Sequence, residues 1–588
     1  MSPKMSSKWF PFAFVSLFLL SFFACGREEE PADLVLLNGK VITIERKLPE
    51  AEALAIRGDR IIAVGKEKTI RRYIGQLTRI IDLDGKVAVP GLIDSHGHFM
   101  SLGQSKMVLN LATCQSWEEI IAMVKAAAEK TPPGEWILGR GWHQEKWERP
   151  PEPNVDGLPI HDGLSMVSPQ NPVLLTHASG HSCLANAKAM ELAGITKKTP
   201  DPPGGEIVRD KKGEPIGAFR ETAQGLLRQA LSFHRAGLSS EVLMAEQRRS
   251  VALATKECLS KGITSFHDAG VSWEAIELYK ELAENGKLGV RLYVMIGEGN
   301  QKLKEALPKY RILGAGQNHL TVRCIKRLID GALGTHGAWL LEPYDDLPTS
   351  VGLNTTPVEE MRETARLALE NDFQLATHAI GDRANRETLN LYEEAFRAHP
   401  EKKDLRWRIE HAQLLHPDDI PRFGSLGVIA AMQGIHCPSD GPWVIQKIGE
   451  KRAREGAYAW RSLLQSGAII ANGTDAPVED VDPIACFHAS VTRLMKDGRA
   501  FFPEQRMNRE EALRSYTLNA AYAAFQEDIL GSLTPGKLAD ITVLSQDILT
   551  VPEDQILQTT VVYTIVGGRI LYQNIAGQSE YFFAFPED

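Results

Sequence analysis

Cysteine is scarce in this chain: seven in 588 residues, with no two at C-x-x-C spacing. That excludes a cysteine-built zinc site and a disulfide scaffold. Six of them, Cys114, Cys183, Cys258, Cys324, Cys437 and Cys486, are scattered and read as buried thiols. Runs of basic residues are missing too, and a net charge of −9 argues against nucleic acid as a partner. No internal repeat is evident. The marked apolar run, "PFAFVSLFLLSFFA" at 11–24, is short for a comfortable membrane span.

That run sits in an unusual start. Lys4 and Lys8 precede it, Ala24 and Cys25 close it, and "GREEEPAD" follows. A basic start, a short apolar core and a small residue before the break predict a bacterial export signal over residues 1–25. Cys25 resembles the lipid-modified cysteine of lipoproteins, which makes 26–32 a tether. The "FFAC" box departs from the usual Leu-x-x-Cys pattern, so a plain signal peptide and an uncleaved anchor remain as alternatives. The expectation is an exported cell-envelope or periplasmic protein that touches the membrane through an N-terminal lipid or anchor. Oligomeric state stays open.

The remaining composition, 43% hydrophobic and 24% charged, is that of a globular protein. Residues 33–88 read as short β runs separated by Asn38-Gly39, Gly58-Asp59 and Asp84-Gly85, which are hairpin signals. Residues 533–588 look alike, and the two ends predict one small β-sandwich domain built from both termini. Between them, over 89–532, strands alternate with helices. Candidates are 91–98, 263–268, 290–297, 321–330, 373–378, 405–411, 427–432 and 468–475. Eight such strands predict an α/β fold, a (β/α)8 TIM-like barrel, a unit that takes about 250 residues or more. The gap after the first strand is too long for a connection, so residues 100–235 are expected to hold an inserted subdomain with strands "EWILGRGW" and "NPVLLTHA".

Reactive groups in such barrels sit at the C-terminal ends of the strands. There the sequence places His96 and His98 in "VAVPGLIDSHGHF", Lys326 and Asp330 on the fourth strand, His378, His411 and Asp475. Asp94, His96 and His98 share one face of an extended strand, a costly arrangement in a buried element unless something binds them. Each residue alone has an ordinary explanation as a hydrogen-bonded or capping group. Together, four histidines and an aspartate at barrel mouths, with a lone lysine in a buried strand, predict a divalent metal, zinc by ligand type, as one or two ions.

"PGLIDSHGH" resembles the signature of the amidohydrolase superfamily, and the resemblance covers nearly all the chain after residue 32. The branch containing N-substituted formamide deformylases is similar in "GRGWHQEKW" at 139–147, "GGEIVRDKKGEPIGAFRETA" at 204–223 and "IKRLIDGALGTHGAWLLEPY" at 325–344. His143 stands where the branch pattern has Asp, and "THASGHSCLAN" matches loosely; both put pocket details in question. The resemblance implies that His96, His98 and Asp475 hold one metal and that His378 and His411 hold a second. It implies that Lys326 is carboxylated and bridges the two; a snorkelling strand lysine is the alternative.

The activity implied is hydrolysis of a C–N bond, other than a peptide bond, in a linear N-acyl or N-formyl amide. A bound divalent ion lowers the pKa of water from ~15.7 to ~7. That makes hydroxide cheaper by roughly 12 kcal/mol. Asp475 is the expected proton carrier to the departing amine. His181, Trp142, Glu221 and Trp339, with Tyr344, are expected to line the substrate pocket, or equally to fill the core. His267 reads as packing beneath the site, and His177, His336 and His436 as surface or core. Two other functions stay open: the same centre acting on a cyclic amide or ester, and a non-catalytic surface lipoprotein.

Overall fold

The structure, a computed structural model, describes residues 30–575 and 577–586. The expected signal segment with Cys25 lies outside the described residues, as does most of the 26–32 tether.

Eight parallel strands make the core of the chain: β1 (Leu92–Gly97), β2 (Ile263–Val271), β3 (Arg291–Ile296), β4 (Leu320–Leu328), β5 (Gln374–Ala379), β6 (Arg408–His411), β7 (Ile429–Gln433) and β8 (Ile470–Gly473). Each pairs with its sequence neighbour, in the order β8 back to β1. The ends are drawn together where Asp475 N donates to His96 O at 2.7 Å and His98 N to Ala476 O at 2.7 Å. The barrel is therefore nearly closed, as the alternation predicts. Strands covered on both faces need mostly apolar side chains, and β3 "RLYVMI" is buried at every position, its one charge, Arg291, paired with Asp540. Helix Val358–Glu370 turns Met361, Thr364, Ala365 and Ala368 inward at helical spacing and leaves Glu359 and Glu360 in its first turn.

Between β1 and β2 a six-stranded sheet runs from Leu109–Asn110 to Pro215–Glu221. It has its own core of Trp117, Ile120, Trp142, Val173 and Leu175. Helices Gln224–Arg235 and Ser240–Ser260 then lead back into β2.

N-terminal strands form a four-stranded sheet, and strands from both termini form a seven-stranded one; the facing sides of the two sheets share one core that includes Leu36, Leu54, Val543 and Ile565. Only one of the three expected hairpin turns is a hairpin: Arg57 pairs with Arg60 around Gly58-Asp59. At Asn38-Gly39 and Asp84-Gly85 the chain instead crosses from one sheet to the other, since Leu34–Leu37 and Arg79–Asp82 pair in the smaller sheet while Lys40–Ile42 and Val87–Pro90 pair in the larger. A tight turn reverses the chain but does not choose the partner strand, and burial on two facing layers decided it. The six described cysteines are free and buried.

Candidate metal centre

Three histidines are turned toward one point by what their far ring nitrogens hold. His96 Nδ1 donates to Glu410 Oε2, His98 Nδ1 donates to Ala269 O at 2.8 Å, and His411 Nδ1 donates to Gln433 Oε1 at 2.7 Å. A carboxylate, a peptide carbonyl and an amide oxygen only accept, so each ring carries its proton on Nδ1. Each Nε2 is left as an acceptor facing the site, that of His96 3.4 Å from Lys326 Nζ, the arrangement that orients metal-binding imidazoles. Burial also lowers the imidazole pKa values, that of His96 to about 4 with Lys326 adding to the effect, and those of His378 and His411 well below the ordinary range. These rings are neutral at pH 7, as ligation requires.

The nitrogens converge on Asp475. Its Oδ1 lies 3.5 Å from His96 Nε2 and 3.2 Å from His98 Nε2, yet accepts no well-formed hydrogen bond. Burial pushes the Asp475 carboxyl up; positive charge on the His98, His411 and His96 rings would hold it well below the carboxylate range, and with neutral rings a bound cation would take that part. An ionised, buried oxygen without a donor is costly. Edges of 3.2–3.5 Å match the roughly 3.3 Å between tetrahedral ligands set 2.0–2.1 Å from zinc. The donor set fits a divalent cation. Ligand atoms of His96, His411 and Asp475 lie within 4.8 Å of one another, which no other three such residues achieve among the described residues. This tightest group takes members from both of the expected metal sets. His378 stands beside it, ring centroid 4.5 Å from His411, with a buried Nε2 that makes no hydrogen bond.

Backbone conformation is spent on this geometry. His411 and Asp475 adopt left-handed φ of 73° and 57° at the ends of β6 and β8. Such strain costs on the order of 1–3 kcal/mol per residue. Asp94 supports the centre from behind, accepting from His96 N and Thr474 N at 3.1 Å each. Lys326 Nζ reaches to 3.4 Å from His96 Nε2, and burial lowers its pKa to about 8. A lysine so close to neutrality is chemically able to react as an amine.

Several residues that sequence reasoning passed over complete the site. Glu410 is buried, which favours its protonated form, but Arg408 and His96 hold its carboxyl below the usual range. His436 and His177, expected as surface or core, line the cleft above the centre together with His143, His181, His378, His411 and Asp475. The cleft encloses about 550 Å³, part of it open to solvent. His181 reaches it from the insert, with Nδ1 2.6 Å from Glu221 Oε2.

Four residues offered as pocket lining or core are absent from the cleft lining. Trp142 is fully buried in the insert core, its Nε1 donating to Leu175 O at 2.9 Å. Trp339 rests against the barrel core under the Arg383 guanidinium at 4.5 Å, and Tyr344 is buried with its hydroxyl donating to Ala338 O. Glu221 acts on the cleft through His181 and does not line it. Apolar bulk fills the nearest core, and spacing along a strand does not say which core that is. Asp330 is structural: it accepts the backbone N–H groups of Trp339, Ile380 and Gly381. His267 lies under the site with Nδ1 3.1 Å from Arg408.

Comparison with known proteins agrees with this geometry. The amidohydrolase family profile matches residues 79–572. The chain is 35% identical to "Protein LONG AFTER FAR-RED 3" of Arabidopsis thaliana, over 92% of this chain and 92% of that one. It is 28% identical to the N-substituted formamide deformylase of Arthrobacter pascens, over 92% of this chain and 98% of that one. Among solved structures, an uncharacterized metal-dependent hydrolase from Pyrococcus horikoshii superposes with a TM-score of 0.69 at 26% identity, covering 89% of this chain and 99% of that one. With the barrel, the strand-end histidines and a match over most of its length, the chain belongs to the amidohydrolase family.

Proposed function

We propose that this protein hydrolyses the C–N bond of a linear amide of the N-acyl or N-formyl type with one or two zinc ions, outside the cytoplasm and tethered through Cys25. One observation carries the metal assignment: three Nδ1-anchored imidazoles face a buried Asp475 oxygen that has no hydrogen-bond donor. His96, His98, His411 and Asp475 would hold the ion, with Lys326, as its carboxylated form, and His378 extending the set to a second. When bound, such an ion polarises a carbonyl and makes water a competent nucleophile at neutral pH.

The chain's own groups supply the rest. Asp475 Oδ2 accepts the water proton and returns it to the departing nitrogen, which is a poor leaving group until protonated. His181, fixed by Glu221, faces the same cleft from the insert. The resemblance to the deformylase of Arthrobacter pascens supports an N-substituted formamide as the first substrate class to examine.

The test is metal analysis of the purified protein combined with hydrolysis of N-formyl, N-acyl, cyclic-amide and ester compounds. Zinc at one to two equivalents with turnover of the linear amides is expected. Turnover confined to cyclic amides or esters refutes the linear-amide assignment. A protein that takes up no zinc refutes the centre.

A further inference from the structure

The cleft wall away from the imidazoles carries charge that hydrolysis alone does not use. Lys146, from the insert, is the one lysine or arginine among the described residues lining the cleft. It is already engaged: its Nζ lies 2.7 Å from Glu479 Oε1, which also accepts from Ser439 Oγ at 2.6 Å. Asp440 lines the same wall and has no ion-pair partner among the described residues. Its Oδ2 accepts from the Tyr458 hydroxyl at 2.7 Å and stands 3.5 Å from Gln413 Nε2. Burial pushes the Asp440 carboxyl up, with His436 and Lys146 acting against it. Two carboxylates against one ammonium leave a negative charge that low-dielectric surroundings make costly.

A second feature of the wall points to a ligand. His436 has a side chain only 9% exposed, and its Nε2 has no hydrogen-bond partner and sits 3.9 Å from Asp475 Oδ2. Asp440 follows it by four residues on the helix His436–Gly456, so both project from one face. The separation along that face is about 6 Å, a little over one helical turn. Leading away from the metal centre, the wall therefore presents Asp475, then a buried imidazole with an unused nitrogen, then an uncompensated carboxylate.

We propose that the substrate amide carries a protonated amine about one helical turn from its scissile bond, and that Asp440 binds this cation while His436 hydrogen-bonds the amide. This rests on the linear-amide function proposed above. Lys146 and Glu479 neutralise one another, which leaves Asp440 as the charge-selecting group. A charge-assisted contact of this kind favours the cationic substrate by about 10- to 100-fold in kcat/KM.

The test pairs N-(4-aminobutyl)formamide with N-pentylformamide, which replaces the ammonium by a methyl group, on the zinc-loaded full chain. The expected result is the 10- to 100-fold preference for the amine, lost in Asp440→Asn through a raised KM for the amine alone. Equal or better cleavage of N-pentylformamide by the parent overturns the cation site and leaves linear-amide hydrolysis in place. The substrate pair is measured on the parent itself, so the outcome stands if the variant fails to fold. Calorimetric binding of pentylamine, a cation at neutral pH, against neutral 1-pentanol, to the parent and to Asp440→Asn, reads the site without turnover. Selective binding of the amine by the parent, lost in Asp440→Asn, supports the cation site even where neither amide is cleaved; no discrimination there overturns it.

Discussion

Replacing Glu410 by Gln separates the support of the metal centre from its ligands. Glu410 is fully buried and accepts from Arg408 Nε at 2.7 Å, from Arg408 Nη2 at 3.1 Å and from His96 Nδ1. Gln keeps the shape and removes the charge. The Arg408 guanidinium, equally buried, would keep Ser95 O at 2.7 Å and His267 Nδ1 at 3.1 Å but lose its counter-ion. Breaking one side of a buried pair costs ~3–5 kcal/mol. Over the roughly 440 residues of barrel and insert, unfolding entropy is about 0.9 kcal/mol/K, so Tm of the metal-free protein should fall by about 3–5 °C. The same change removes the carboxylate that raises the basicity of His96, and zinc affinity should weaken by about 10- to 100-fold. Calorimetric melting of the metal-free protein and chelator competition for zinc measure the two effects. Unchanged zinc affinity in Glu410→Gln would refute the orienting role, whatever happens to Tm.

Asp475→Asn should fold and lose about 10²- to 10⁴-fold in kcat; steady-state turnover with circular dichroism and metal content checks it, and near-parent activity removes Asp475 from proton transfer. Trp142→Ala should destabilise by about 3–5 kcal/mol without altering substrate preference, because Trp142 belongs to the insert core; altered selectivity at unchanged Tm would contradict that placement. The lowered pKa of Glu410, paired with Arg408 and His96, sets a pH dependence. Its carboxylate stabilises the fold above the ordinary value of ~4, and that stability is lost as pH falls through its lower native value. The metal-free parent should therefore melt progressively lower below about pH 4, and Glu410→Gln should show a shallower acid slope.

Strand ends were legible because two periodicities coincide with function in this architecture. "GLIDSHGH" announces a buried strand whose last polar residues must leave the core at its mouth, and His96 and His98 do. His378 and His411 close β5 and β6 for the same reason. What failed to show was anything held by contact across distant segments. His436 read as surface or core until β7 and β8 set it 3.9 Å from Asp475. Glu410 is one residue before His411 and gives no sign in sequence that it serves His96, 314 positions away. Trp142 misled in the opposite sense, since an aromatic beside a pocket motif is as easily the core of a neighbouring layer.

By itself, then, the sequence determined the alternation of strands and helices, the insert after the first strand and the residue types able to bind a cation. Those follow from local preferences and from the alternation of buried and exposed faces along the chain. Tertiary structure alone decided which nitrogen of each imidazole stays free, which carboxylate goes unpaired and which wall the cleft shows to a substrate. Hydrogen-bond partners and burial are set by closure of the barrel and by the insert above it, and neither is a property of any single segment.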